Sequence, residues 1–264
     1  MPIHKTAIVD KKAELAADVD VGPFAVIGAG VTIAEGTAIG PHCVVFGPTS
    51  IGPRNHLTSH VVLGGPPQDA KHDGSTTRLV IGADNTFREF VTAHRGSTDG
   101  RGVTTIGDRN FLMAQSHVAH DCLVGNDCTF ANSAAIAGHV QVGDNVIIGG
   151  LAGVHQHARI GRLAMIGAGA MCAQDVPPFT LAQGDRARLF GLNVVGLKRK
   201  GLTPDAVTAL KAAWRTLFAS GGAIRASMAR VREEQGTVAE VAEMLAFLEA
   251  THRGVCRAAS ADSE

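Results

Sequence analysis

His120 is followed directly by Asp121, and four more histidines, His117, His139, His155 and His157, lie in the same stretch. A carboxylate beside an imidazole orients the ring and fixes its tautomer, leaving the other ring nitrogen to act as a general base. Neighbouring residues of a strand point to opposite faces, so Asp121 serves His120 only where the chain turns, or through its backbone. Taken alone, the pair also reads as two solvated surface residues. His155-x-His157 offers a different chemistry, since it puts two imidazoles on one side of a strand. With His139 they approach the three ligands and open position of a catalytic zinc.

What must position these side chains is a repeat. From Ile106 to Cys172 an aliphatic, aromatic or thiol residue returns every six positions, through Leu112, Val118, Val124, Phe130, Ile136, Val142, Ile148, Val154, Ile160 and Ile166. Glycine often follows directly, and small residues such as Ser116, Ala134 and Ala152 sit two places before. A period of six fits neither a lone helix nor an ordinary strand and marks a parallel β-helix. With three hexads to a coil, residues eighteen apart stack at ~4.8 Å. His120 then stacks with Gly138 and Gln156, while Asp121, His139 and His157 form the next column and His117 and His155 flank them.

The hexads start near Ala7 and run to Leu63, break at 67–78 (PQDAKHDGSTTR), resume at Ile81, Phe87 and Ala93, and break again at 97–103 (STDGRGV). The second break shifts the phase by one residue and must bulge outward. The count is about twenty-five hexads, or about eight coils and ~40 Å of height. The first loop leaves the corner that ends the face of Val118, two coils below His120, and twelve residues are long enough to reach that histidine or a neighbouring subunit. The solenoid is expected to occupy 1–178, ending at Val176-Pro177-Pro178 because proline donates nothing to a ladder. A connector over 179–201 and a helical domain over 202–264 follow. The first helix is capped by Thr203 with Pro204 at its first position and ends at Gly221-Gly222; a short second helix carries Ile224, Met228 and Val231. A third follows a Thr237/Glu240 capping box, and the tail from Ala258 is expected to fray. Helices over the last coil protect its open edge, and flat prism faces predict self-association, most naturally three-fold.

Composition agrees. Glycine numbers 32, aromatic residues are 4% and tyrosine is absent, as tight corners and a narrow interior require. A formal net charge of zero argues against nucleic acid or an anionic membrane as the main partner. Five cysteines without a CxxC spacing read as free thiols of a reducing compartment. With no basic-then-apolar leader and no long apolar run, a cytoplasmic protein without stable membrane insertion is expected.

The segments PPQDAK (66–71), TAHRGS (92–97), SHVAHDC (116–122), AGHVQVGD (137–144), VHQHARIG (154–161), AQDVPPF (173–179), AQGDRA (182–187) and FGLNVVGLKRKG (190–201) resemble the UDP-N-acetylglucosamine O-acyltransferases of lipid A biosynthesis across nearly the whole chain. The resemblance implies a left-handed parallel β-helix with a C-terminal helical domain, assembled as a homotrimer. It implies transfer of an (R)-3-hydroxyacyl group from the phosphopantetheine of acyl carrier protein to the sugar 3-hydroxyl, with no metal or other cofactor. Carried across, His120 is the general base, Asp121 its partner, and Gly138 and His139 sit at the thioester, the glycine as an oxyanion donor through its N–H. Gln68, Asp69, Lys71, His117, His155 and Gln156 hold the sugar, acyl and nucleotide parts. Asn193, Arg199 and Lys200 hold the nucleotide or the carrier's arm, and Ala168 occupies a position that tunes acyl length. Val195 stands where a glutamate is usual, and Lys200 replaces an arginine, keeping charge without the bidentate fork. Read without the resemblance, Lys198–Lys200 and the 67–78 loop are ordinary solvated surface. Two other readings of the architecture are an N-acyltransferase acting on a 3-amino sugar and a zinc trimer similar to gamma-class carbonic anhydrases. The latter family's paired histidines are missing, because the position five after His117 is Cys122.

Overall fold

Each solenoid strand is two to four residues long and pairs in parallel with the strand three places further along the chain. In this computed structural model, which describes residues 3–219 and 223–259, 25 such strands run from Ile8–Val9 to Met171–Cys172. They form the three walls of a left-handed parallel β-helix. Partners are eighteen residues apart, as with His117↔Ala135 and Ala135↔Gly153. Where the loops intervene the spacing grows: Val62 pairs with Thr92 and Thr92 with His117. The chain therefore expels twelve and seven residues at the two breaks and keeps its side-chain phase above and below.

The hexad positions fill the interior. Ile27, Leu63, Ile106, Leu112, Phe130, Ile136, Ile148 and Ile160 are fully buried. Corners are turned by residues at positive φ, and on the corner after the His117–Val118 face these are Asp121 (59°), His139 (64°) and His157 (62°). Asp and His tolerate this left-handed conformation better than branched residues do.

The upper end departs from expectation. Pro177-Pro178 does not end the wall: Thr180–Gln183 pairs in parallel with Met165–Ile166, then antiparallel with Arg188–Leu192. Phe179, directly after the two prolines, already donates its N–H to the Arg162 carbonyl at 2.8 Å. The segment expected as a connector thus holds a hairpin, and after it α1 (Val194–Arg199). Three further α-helices follow, as expected after the connector: α2 (Pro204–Trp214), which runs on as a π-helical turn over Arg215–Ala219, α3 (Ile224–Gln235) and α4 (Ala239–Glu249). Thr203 caps α2 through Ala206 N–H at 3.2 Å, with Pro204 at the first position. The Thr237 capping box does not form; α4 starts after Val238 without a side-chain cap. The expected stop at Gly221-Gly222 lies outside the described residues. The tail does not fray at Ala258: Leu189 N–H donates to Arg257 and Ala259 N–H to Leu189, extending the hairpin.

The helices share a second core with the last coil, in which Leu163 and Phe179 meet Leu210, Leu217, Met228, Val241, Leu245 and Leu248. Asp175, 1% exposed, ties the two parts. It accepts from Arg159 Nε at 3.0 Å and from Thr251 Oγ1 at 2.8 Å, while Arg159 donates to the carbonyl of Phe247.

Candidate active site

The turn at Asp121 resolves the problem of adjacent strand residues. Because the chain enters the left-handed region there, the carboxylate folds back beside its neighbour, and His120 Nδ1 lies 2.8 Å from Asp121 Oδ2. The same oxygen accepts from Ser97 N–H at 2.8 Å and Ser97 Oγ at 2.6 Å, while Asp121 N–H donates to Thr104 Oγ1 at 2.8 Å. Burial by itself would raise the Asp121 carboxyl, but the bonds from Ser97 and His120 outweigh it and hold it below the usual range. An ionised carboxylate only accepts, so Nδ1 carries a proton, and in the neutral ring the lone pair is on Nε2.

His120, Gly138 and Gln156 rise in one column. His139 N–H donates to the His120 carbonyl and His157 N–H to that of Gly138, both at 3.0 Å. The His139 ring meets His120 edge-on at 5.1 Å and stacks on His157 at 4.4 Å. Gly138 is required here, because a Cβ would fall 2.6 Å from His120 Cε1 and 2.7 Å from Nε2. Its N–H has no acceptor among the described residues. His117 Nδ1 meets Thr92 Oγ1 at 2.7 Å, and His94 lies edge-on below it at 5.0 Å. Burial and the nearby His120 keep His117 below the usual imidazole range, and burial does the same to His139 against the opposing pull of Asp121. Burial, with His117 and His120 beyond it, takes His94 to about 4. Cys122 is pushed up to about 12 by burial, so the thiol next to Asp121 stays protonated at neutral pH and is no nucleophile.

Two cavities of different character meet at His120, Gln68 and Gln156. One, about 500 Å³, is polar and adds Asp69, Lys71, His139 and His157. The other, about 800 Å³, climbs the outer face over Ala135, Ala137, Gly153 and Met171, with His117 and His155 on its walls. The 67–78 loop therefore reaches the histidines of its own chain. Asn193, Arg199 and Lys200 are not brought to this corner. They line a cavity of about 380 Å³ with Thr129, Ile147 and Met165, against another wall of the prism. Asn193 is buried and spent on structure, its amide donating to the Leu163 carbonyl and its oxygen accepting from Gly196 N–H at the start of α1. Ala168 is exposed at the turn before Met171–Cys172, at the corner of that face opposite His120, and is not among the groove residues. Ser97, Thr104 and Gly100, whose missing Cβ makes room for the Asp121 carboxylate, carry no role in the sequence reading. The phase shift at 97–103 is the signal that pointed to them.

A metal would find a different set from the one the sequence suggested: His120, Asp121 and His139 offer ligand atoms within 4.8 Å of one another, and His155 and His157 are not part of it. In that set Asp121 Oδ2 already accepts three bonds, one of them from His120.

Comparison with known proteins places this geometry. Residues 175–256 match the profile of "Udp N-acetylglucosamine O-acyltransferase; Domain 2", and 104–138 match the bacterial transferase hexapeptide. The acyl-[acyl-carrier-protein]–UDP-N-acetylglucosamine O-acyltransferase of Thermodesulfovibrio yellowstonii is 47% identical, over 97% of this chain and 99% of its own. That of Stenotrophomonas maltophilia is 48% identical, over 97% of each. Among solved structures, LpxA from Acinetobacter baumannii superposes with a TM-score of 0.94 at 39% identity, covering 97% of this chain and 99% of that one. The Arabidopsis UDP-N-acetylglucosamine acyltransferase gives 0.85 at 33%, covering 97% and 100%. Matched over almost the full length in sequence and in fold, the chain belongs to the UDP-N-acetylglucosamine O-acyltransferase family.

Proposed function

We propose that the protein transfers an (R)-3-hydroxyacyl group from acyl carrier protein to the 3-hydroxyl of UDP-N-acetylglucosamine, the first step of lipid A biosynthesis, in the cytoplasm. The observation that carries the mechanism is the position of His120, where a polar cavity opens on one side and an apolar groove on the other. A sugar suits the first, with Gln68, Asp69, Lys71 and Gln156 as its partners; an acyl chain suits the second, between His117 and His155. His120 Nε2 takes the proton of the sugar hydroxyl as its oxygen bonds to the thioester carbonyl carbon. The carbonyl oxygen gathers charge facing Gly138 N–H, with His139 beside it. Collapse breaks the C–S bond, and the pantetheine thiolate recovers the proton from His120. The thioester is already activated, so alignment, one base and one oxyanion donor suffice, with no metal and no covalent enzyme intermediate.

The nucleotide end of the donor-acceptor pair is assigned to Asn193, Arg199 and Lys200 of a neighbouring copy. Their cavity and the histidine corner lie on different walls of one prism, which supports a three-fold assembly with sites between subunits. The free, buried state of all five cysteines supports a reducing compartment, and no described helix is long and apolar enough to cross a membrane.

The test is His120→Ala. Mass analysis of product from UDP-N-acetylglucosamine and its 3-amino analogue, side by side, identifies the acceptor atom. The variant is expected to melt like the parent and lose at least ~10²–10⁴-fold in turnover; retained turnover rules out the mechanism.

A further inference from the structure

His120 is anchored through a ring nitrogen by Asp121, and His117 by Thr92. His139, which the mechanism above sets beside the thioester, has no hydrogen bond to its ring among the described residues. Its main chain is fixed, at a φ of 64° and with its N–H on the His120 carbonyl. The direction of the ring is left to contacts alone, and these come from two sides. His120 meets it edge-on from the coil below, and His157 lies flat on it from the coil above, with centroids 4.4 Å apart and planes within 10°. The two stacked histidines hold the same corner position of successive coils, both at φ near 60°. Their side chains leave the backbone in one direction, and a coil spacing of ~4.8 Å brings the rings into contact. His157 is exposed on its other side and borders the polar cavity, yet the mechanism gives it no part.

Building on the acyltransferase reading above, we infer that His157 is a positioning residue, which by stacking holds the His139 ring edge-on to His120 and beside the thioester. The flat face of His157 does this, and its ring nitrogens do not. An aromatic pair favours one ring orientation over the others by ~3- to 10-fold. A phenyl ring offers the same face, and the corners of this chain accept one. Phe24 and Phe90 stand at φ of 59° and 61° lower on the prism, where each stacks on a histidine of the next coil at 5.0–5.1 Å. The competing role, a hydrogen bond or charge offered to the sugar nucleotide from the cavity wall, needs the nitrogens and would be lost with phenylalanine.

The experiment measures kcat and KM for both substrates in His157→Asn and His157→Phe, each alone and combined with His139→Ala. Asparagine tolerates the left-handed corner and stays polar but has no ring. In His157→Asn kcat is expected to fall ~3- to 10-fold with KM unchanged, and in His157→Phe to stay within about twofold of the parent. On the His139→Ala background neither substitution should lower the residual turnover further, because the stack has lost its other member. An equal loss in His157→Phe, or a loss that appears in KM, assigns the nitrogens to the substrate and overturns the inference. Undiminished turnover in His157→Asn, or its full loss persisting on the His139→Ala background, overturns it too. Inactivity of the unmodified enzyme with every acyl donor instead defeats the acyltransferase reading itself.

Discussion

Ser97 gives two hydrogen bonds to one carboxylate oxygen, and that oxygen holds His120. In the mechanism proposed above, the serine acts as a positioning residue, reaching His120 through Asp121. Its hydroxyl also helps keep the buried carboxyl ionised, and so fixes a proton on the His120 Nδ1 that faces it. In Ser97→Ala the main-chain bond survives and the hydroxyl bond is lost, worth about 1.5 kcal/mol to a charged acceptor. Turnover is expected to fall about tenfold with KM for both substrates unchanged, and Ser97→Thr should recover most of it. A KM change at constant kcat would instead assign Ser97 to substrate binding.

At the scale of the face, stacking forces histidines together that would otherwise repel when charged. His94 sits at 8% exposure below His117 and takes a proton only at about 4, whereas in the unfolded chain it does so near 6.5. Between those values the unfolded chain binds the extra proton, so stability falls as pH drops from 6.5 towards 4 and recovers on raising it. The loss approaches ~3 kcal/mol at ~1.4 kcal/mol per pH unit. Denaturant unfolding at pH 7 and pH 4.5 should show His94→Gln losing ~2–3 kcal/mol less than the parent on acidification. Equal losses in both proteins would remove His94 as the source.

For the whole molecule, the decisive fact is that the histidine corner and the Arg199 cavity lie on different walls. In the proposed assembly a single chain does not bring them to one substrate, whereas a ring of three does. Mixed trimers of His120→Ala and Arg199→Ala subunits, each nearly inactive alone, are expected to regain activity, because some interfaces pair an intact His120 with an intact Arg199. Co-expressed, the mixture should exceed the sum of the two separate preparations several-fold. Activity no greater than that sum would place the whole site within one subunit.

The six-residue period determined the coils, their register and the columns His120/Gly138/Gln156 and Asp121/His139/His157, because in a stacked prism contacts recur at a fixed sequence distance. It also marked the two loops, since expelled residues leave the phase around them readable. The period is blind to what breaks it. The hairpin over 180–192 and the pairing of Ala259 with Leu189 depend on which edges stay open after Pro177-Pro178, which is a matter of space and not of local pattern. Nor does spacing fix side-chain direction. That Asp121 turns back onto His120, that Ser97 reaches it from the second loop, and that His157 lies flat on His139 follow from φ at a corner and from room left by glycines. Those are properties of neighbours distant in the chain, and only the folded coil sets them side by side.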